Sequence, residues 1–447
     1  MNPTLAAENI VTRPVTGRSA TLYAWYVALL LSTGHLVSFI DRFLMSLVME
    51  PLKHDLGVSD TQLGLLQGTG FVILYTLFAV PLGRMADSVN RRNLIIVGML
   101  MWSIATALCG LASSFGTLFL ARIGVGFGEA ALVPAAMSIL ASYFPRSQIG
   151  RAVSVFTLGA SLGKSAALIG GGAILAMLTI AGGLSLPGLG RLMPWQGTFV
   201  LMAIPGILLA LLLLTVSEPA RVTSTMIKPS IASAAAYVRT HGKAYFSHTA
   251  AASCAILVIQ SLAAWAPTFY QRLFAMTAPQ AGLLVGSVIL IAAPAGHLTG
   301  GYLTDLFEKR GSPAPAAPVM IIGLIGAIPI MIVLGLTRSL PVSLAAYGLL
   351  NFGVTMGAPA SLAGIQMLTP DRLRGVVTSM FLAAITLIGI GLGPPLVGFV
   401  TDNLFHDPQA LGLSLILVIT VVGILGSALA LLSRRFFAGT AALSSSN

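Results

Sequence analysis

Charge is what this chain has least of. Only 8% of its 447 residues are Asp, Glu, Lys or Arg, against about 25% in an average soluble domain. So few charges cannot solvate a globular surface, and 56% of the residues are apolar. A soluble protein is excluded. Apolar runs long enough to cross a bilayer recur along the whole chain and leave no room for a large soluble domain. Cysteine is nearly absent. Cys109 and Cys254 each lie inside an apolar run, which excludes a disulfide framework and leaves the redox compartment unread. Acidic residues are fewer than basic ones, giving a net charge of +11. The basic residues come in twos to fours in alternate loops rather than on one face, so a nucleic-acid partner is excluded. There is no Cys/His metal cluster and no Ser-His-Asp set, so neither a metal, a cofactor nor an enzymatic activity is expected. Residues 1–21 are polar and carry Arg13 and Arg18. They lead into a full-length span without a small-residue cleavage pattern, and so do not read as a signal peptide.

What remains is an all-α membrane protein. Twelve transmembrane helices are expected near 23–50, 62–86, 93–113, 117–142, 150–177, 195–217, 245–272, 277–306, 316–336, 341–368, 373–403 and 409–434. Several exceed the roughly 20 residues needed to cross, so tilt or kinks follow. Pro134, Pro205, Pro267, Pro294 and Pro359 are the expected kink sites. Of the 24 Lys and Arg, three (Arg42, Arg122, Lys164) fall inside spans. Four (Lys53, Arg191, Arg272, Arg338) fall in the loops of one side, and the other seventeen lie on the side of the termini. That bias places both termini in the cytoplasm.

The longest connection on that side, residues 218–244, is expected to hold an amphipathic helix with Ile231, Ala235 and Val238 on one face. It divides the chain into an N-terminal six-helix bundle (1–217) and a C-terminal one (245–447). The halves are similar in sequence. Gly83, Asp87, Arg91 and Arg92 follow helix 2. Gly301, Asp305, Lys309 and Arg310 follow helix 8 at the same spacing, 218 positions on. Helix 4 carries Arg122-Ile123-Gly124-Val125-Gly126-Phe127-Gly128-Glu129. Helix 10 carries Asn351-Phe352-Gly353-Val354-Thr355-Met356-Gly357-Ala358 in its place. Duplicated halves are a transporter signature.

Four charged residues, Asp41, Arg42, Arg122 and Glu129, sit where the chain should be in oil. Each costs about 2.5–3.5 kcal/mol at a bilayer centre, so they must pair. At 1.5 Å per residue, Asp41 in helix 1 and Glu129 in helix 4 lie ~14 and ~18 Å below the same surface. Arg122 stands two turns from Glu129 on one helical face. Two readings stay open. The carboxylates bind and release a proton as their partners move, or they form a static ion-pair staple between helices 1 and 4.

The loop motif and its partial copy make the whole chain resemble the major facilitator superfamily. That resemblance implies two pseudo-symmetric six-helix bundles, a central cavity lined by helices 1, 4, 7 and 10, and a latch at the repeated loops. A narrower resemblance, to Spinster-type lipid transporters, is carried by several segments. They are Phe39-Ile40-Asp41-Arg42, Gly64-Leu65-Leu66-Gln67, the Arg122-to-Glu129 stretch, Trp265-Ala266-Pro267-Thr268 and Gly393-Pro394-Pro395-Leu396-Val397-Gly398. It implies proton coupling through Asp41 and Glu129 with Arg42 and Arg122 beside them, and a lipid or lipid-like amphiphile as substrate. A proton-coupled drug exporter or small organic-anion carrier of the same superfamily is the alternative. A channel or intramembrane enzyme is the reading from another class; it lacks a symmetric polar ring or a nucleophile and base.

His35, Lys164, Gln260, Trp265 and Asn351 are the expected cavity residues. Lys164 either snorkels to the cytoplasm or meets an anionic head group. The stretch ending Gly163-Lys164-Ser165 is no nucleotide loop, because Leu158 stands where its first glycine belongs. A monomer among membrane lipids is expected. Compact loops and short tails point to a bacterial inner membrane.

Overall fold

Helix is the open backbone form that satisfies its own hydrogen bonds in hydrocarbon, and this chain is built almost wholly from it. The structure is a computed structural model. It describes residues 18–145, 148–188, 190–219 and 230–444, and of 18–20, 87 and 438–444 the backbone alone. Among the described residues, twelve helices are long and apolar enough to cross a membrane: Thr21–Leu47, Asp60–Ala86, Arg91–Gly110, Phe115–Tyr143, Ile149–Ala181, Pro194–Thr215, Gly242–Phe274, Ala278–Lys309, Ala316–Leu336, Leu340–Leu368, Arg374–Phe405 and Pro408–Phe437. They are helices 1 to 12 below. A two-stranded hairpin, Leu184–Leu186 with Gly190–Leu192, joins helices 5 and 6. Its short strands carry no periodicity that sequence reading could use.

The breaks have local causes. Helix 4 breaks between Glu129 and Leu132, and helix 10 at Met356. Pro134 and Pro359 follow within one turn, and a proline ring clashes with the carbonyl four residues before it. Helix 11 loosens into a π-turn at Thr386–Ile390, one turn before Pro394 and Pro395. At Pro205, Pro267 and Pro294, by contrast, helices 6, 7 and 8 run on uninterrupted.

The ends of the bundle differ. At the end that carries the termini, Tyr23 donates to the Thr215 carbonyl and Tyr143 to that of Ser217. The helix Ile231–Thr240 packs here against the second half. Its buried face is centred on Ala234, and Ile231 is exposed, so the face is turned from the one expected. Arg13, Arg146, Arg221 and Lys228 lie outside the described residues.

At the opposite, distal end the two halves are tied together. Asp60, 0% exposed, accepts two hydrogen bonds from Arg272 of helix 7 at 2.6 and 2.8 Å and pairs with Lys53. Arg272 also binds Glu50. Asp402 of helix 11 accepts from the Thr61 backbone and hydroxyl, both at 2.6 Å. Beneath this network helix 2 lies on helix 11 with backbones touching. A Cβ at Gly64 or Gly68 would run into the Pro394 or Ile390 carbonyl, and one at Gly398 into that of Asp60. Helices 5 and 8, one from each half, also meet toward this distal end, with Gly282 against the Leu168 carbonyl and Gly172 against Pro279. No comparable tie between halves is found at the terminal end among the described residues.

Breaking one partner of a buried ion pair costs about 3–5 kcal/mol. Arg272→Ala leaves Asp60 with Lys53 alone and should move the population toward a distal-open state. Spin-label distances across the distal face should lengthen; unchanged distances would contradict the tie.

Candidate functional site

The four buried charges converge, but not in the expected pairs. Glycines bring their helices together. A Cβ at Gly126 would strike the Phe71 carbonyl of helix 2, and Gly98 and Gly128 press helices 3 and 4 together. Gly159 and Gly163 of helix 5 lie against the helix 1 backbone at Ser32 and Leu36. Small residues let backbones approach so closely in a membrane.

Within this frame, Glu129 at the break in helix 4 meets Arg42 of helix 1 at 2.6 Å. Its same oxygen, Oε2, accepts from the Ser38 hydroxyl at 2.6 Å. Oε1 has no partner, nor has Arg42 Nε. The Arg42 guanidinium lies 4.2 Å from the Phe71 ring centre and 4.6 Å from that of Phe39. Aromatic faces hold a desolvated cation there. Arg122, 0% exposed, donates to the Leu66 and Asp41 backbone carbonyls at 3.1 and 3.2 Å. It therefore sits beside Asp41 and does not pair with Glu129. The ion pair that joins helices 1 and 4 is the one between Arg42 and Glu129.

The Asp41 carboxylate is 1% exposed, and neither oxygen has a hydrogen-bond partner. It faces the Thr106 hydroxyl and Trp102 indole of helix 3, which are themselves unpartnered. Gln67 adds a long hydrogen bond to the Arg42 carbonyl, at 3.5 Å.

The expected cavity residues separate. Trp265 is 0% exposed, and its indole donates to the Pro394 carbonyl at 2.9 Å. It packs helix 7 on helix 11 and lines no cavity. His35 is buried, stacked on Phe156 with ring centres 4.3 Å apart and bonded to its carbonyl; it too is a packing residue. Asn351 is buried beside Tyr347, and Gln260 is half-buried. Lys164 Nζ lies 5.0 and 5.9 Å from the Phe43 and Phe39 rings of helix 1. It is fifteen residues, or ~22 Å, from the start of helix 5. That is too far to snorkel.

At the terminal end, Arg91 binds Glu218 at 2.7 Å together with Ser138, Ser142 and the Pro219 carbonyl. Arg92 reaches the Val216 carbonyl. Gly83 faces Pro134 of its own half, and a Cβ at Gly301 would meet nothing. Asp305, Lys309 and Arg310 form no ion pair among the described residues, and the Asp87 side chain lies outside them. In this conformation the loop cations Arg91 and Arg92 bind their own half and its linker. The tie between halves is the distal one, through Asp60, Arg272 and Asp402. The sequence reads Arg272 only as a loop cation and gives Asp60 and Asp402 no role, because nothing in it pairs these residues across the two halves.

A model of the Major Facilitator Superfamily matches residues 31–394. The chain belongs to that superfamily. This facilitator is 28% identical to an MFS-type efflux pump of Mycolicibacterium smegmatis, over 90% of this chain and 91% of that one. It is 23% identical to the "Probable L-galactonate transporter" of Escherichia coli, over 84% and 82%. Its fold matches a bacterial homologue of the human lysosomal transporter Spinster, in an inward-facing, unoccupied conformation. There the TM-score is 0.82 and the identity 27%, over 94% of this chain and 98% of that one. The relatives are transporters, and this facilitator is a transporter, not an enzyme.

Two predictions follow from the geometry. Arg42→Met strands Glu129 in a dry site and should cost about 3–5 kcal/mol. Adding Glu129→Gln should restore most of it. Melting temperatures of the single and double variants test this; equal losses in both would contradict the pair. At the loop, partial burial alone would raise the Glu218 carboxyl. Hydrogen bonds from the Arg92 backbone and the Arg91 side chain outweigh it and hold Glu218 below its ordinary 4.5. Its contribution is then complete above that value and lost as pH falls through the lowered one. Arg91→Ala should therefore lower the melting temperature equally at about pH 6 and pH 8, with the gap narrowing only in stronger acid. A gap that changes between the two neutral pH values would contradict it.

Proposed function

We propose that this facilitator is a proton-coupled carrier of a lipid-like amphiphile in a bacterial inner membrane, with both termini cytoplasmic, working by alternating access. One observation carries the coupling. Glu129 holds Arg42 through a single oxygen while its second oxygen has no partner in a dry site, and a second buried carboxylate, Asp41, lies within electrostatic reach. An idle buried carboxylate is costly unless something takes its charge, and a proton is small enough to enter. A proton on Glu129 competes with Arg42. Once Arg42 is released, the tie between helices 1 and 4 loosens, and the equilibrium between the two access states moves. The distal tie must open and the terminal end close to complete the cycle.

The amphiphile rests on an asymmetry. The ionisable cluster belongs to helices 1 and 4, while helix 10 presents Asn351 and Ala358, neither of them ionisable, at the matching positions. An amphiphile would keep its head near the charges and its tail along the second half. The likeness to the Spinster homologue supports the same reading. The galactonate relative favours a second one, a tailless organic anion.

Glu129→Gln keeps the hydrogen bonds and removes the titration. Uphill transport driven by a proton gradient should fall at least about 100-fold, a loss on the scale of about 2.7 kcal/mol, while the protein still folds. Asp41→Asn should behave alike, and the double variant should be little worse, because residues acting as one unit are non-additive. Proteoliposome uptake with and without a proton gradient checks this. Retained proton-driven uptake in Glu129→Gln would reduce the pair to a staple.

A further inference from the structure

Lys164 is the intramembrane cation that the coupling cluster does not use, and it is half-buried. Among the described residues no carboxylate pairs with it and no hydrogen bond satisfies it. The charged groups within electrostatic reach are Arg42 and, from helix 8, His297. Neither can neutralise an ammonium. The nearby carboxylates are committed elsewhere: Glu129 is taken by Arg42 and Ser38, and Asp41 is enclosed against helix 3. What Lys164 does touch is aromatic, the faces of Phe43 and Phe39. Its position is fixed from behind, because Gly163 lies against the Leu36 carbonyl and Phe39. Its partial exposure leaves the ammonium open to a ligand, and cation–π contact alone does not neutralise its charge. Arg42 lies within electrostatic reach of Lys164, and its Nε has no partner.

We propose that Lys164, with Arg42 beside it, forms the binding subsite for an anionic group on the transported molecule, a carboxylate or phosphate, with Phe39 and Phe43 seating the carbon next to it. The substrate is then an anionic amphiphile rather than a neutral or cationic one. This deepens the amphiphile reading and rests on it only for the tail. An ammonium suits the role as a compact point charge with three donors.

The test uses the full-length protein in neutral detergent, three probes and three substitutions of Lys164. Binding is measured for oleoyl lysophosphatidic acid, for monoolein as the neutral lipid of the same chain, and for D-glucarate as an anion without a tail. Lys164→Met should weaken lysophosphatidic acid binding about 10- to 100-fold and leave monoolein unchanged. Lys164→Arg should hold the anion within about threefold, since the charge is kept. Melting temperatures report folding, with Lys164→Gln as the second variant should the apolar one not fold. Glucarate binding that needs Lys164, with neither lipid bound, would support the anion subsite and refute the amphiphile. Lysophosphatidic acid binding indifferent to Lys164 would keep the amphiphile and overturn the subsite. Equal loss of monoolein would make Lys164 a packing residue, and no Lys164-dependent binding of either anion would also overturn it.

Discussion

The contact between Arg42 and Glu129 is the interaction on which the rest depends. A charge inside a bilayer must be matched, and the match here is minimal. One guanidinium nitrogen meets one carboxylate oxygen at 2.6 Å, with a serine hydroxyl on the same oxygen. A fuller match, with two nitrogens on two oxygens, would be stronger and more rigid. A single bond leaves room for a competitor. The break in helix 4 falls directly after Glu129, so the carboxylate sits where the backbone can most easily re-aim it. Pair, break and helix 1 contact form one local unit, and in the proposed cycle it is this unit that changes when Glu129 changes partner.

Two kinds of glue divide the labour around that unit. Inside the first half, glycine-mediated backbone contact sets helices 2, 3 and 4 at fixed spacing and holds Arg122 against backbone carbonyls. Rigid packing of that kind has one arrangement. Between the halves, ionic bonds at the distal end can be exchanged for water when the end opens. A carrier needs both: a stiff half that positions the charges, and an interface whose cost of opening is modest. The close approach of helices 2 and 11 shows the compromise, since glycine and proline let the backbones touch without interlocking side chains.

Much of this was legible in the residues. Long apolar runs gave the twelve spans, and the repeated loop motif pointed to the duplicated fold. Glu129 and Asp41 stood out because charge is so scarce. What could not be read was pairing. Arg122 shares a helical face with Glu129, yet Arg42 takes it, because helix 1 is pressed in by Gly159 and Gly163 of helix 5. Trp265 looked like a cavity aromatic and proved a strut, since an indole N–H buried between helices seeks the nearest free carbonyl. Asp60 and Arg272 were unremarkable loop ends until the fold brought them together across 212 positions. Sequence marks which groups are expensive; only the packing decides which group meets the cost.

The central claim is that the Glu129 carboxylate exchanges Arg42 for a proton during transport. Its most direct test is proton movement itself. A pH dye is trapped in proteoliposomes held at zero voltage, and a transported anion is added outside. The account predicts a dye response with the wild-type protein that depends on the anion, and none with Glu129→Gln at equal protein incorporation. An equal anion-dependent response from both proteins would contradict it.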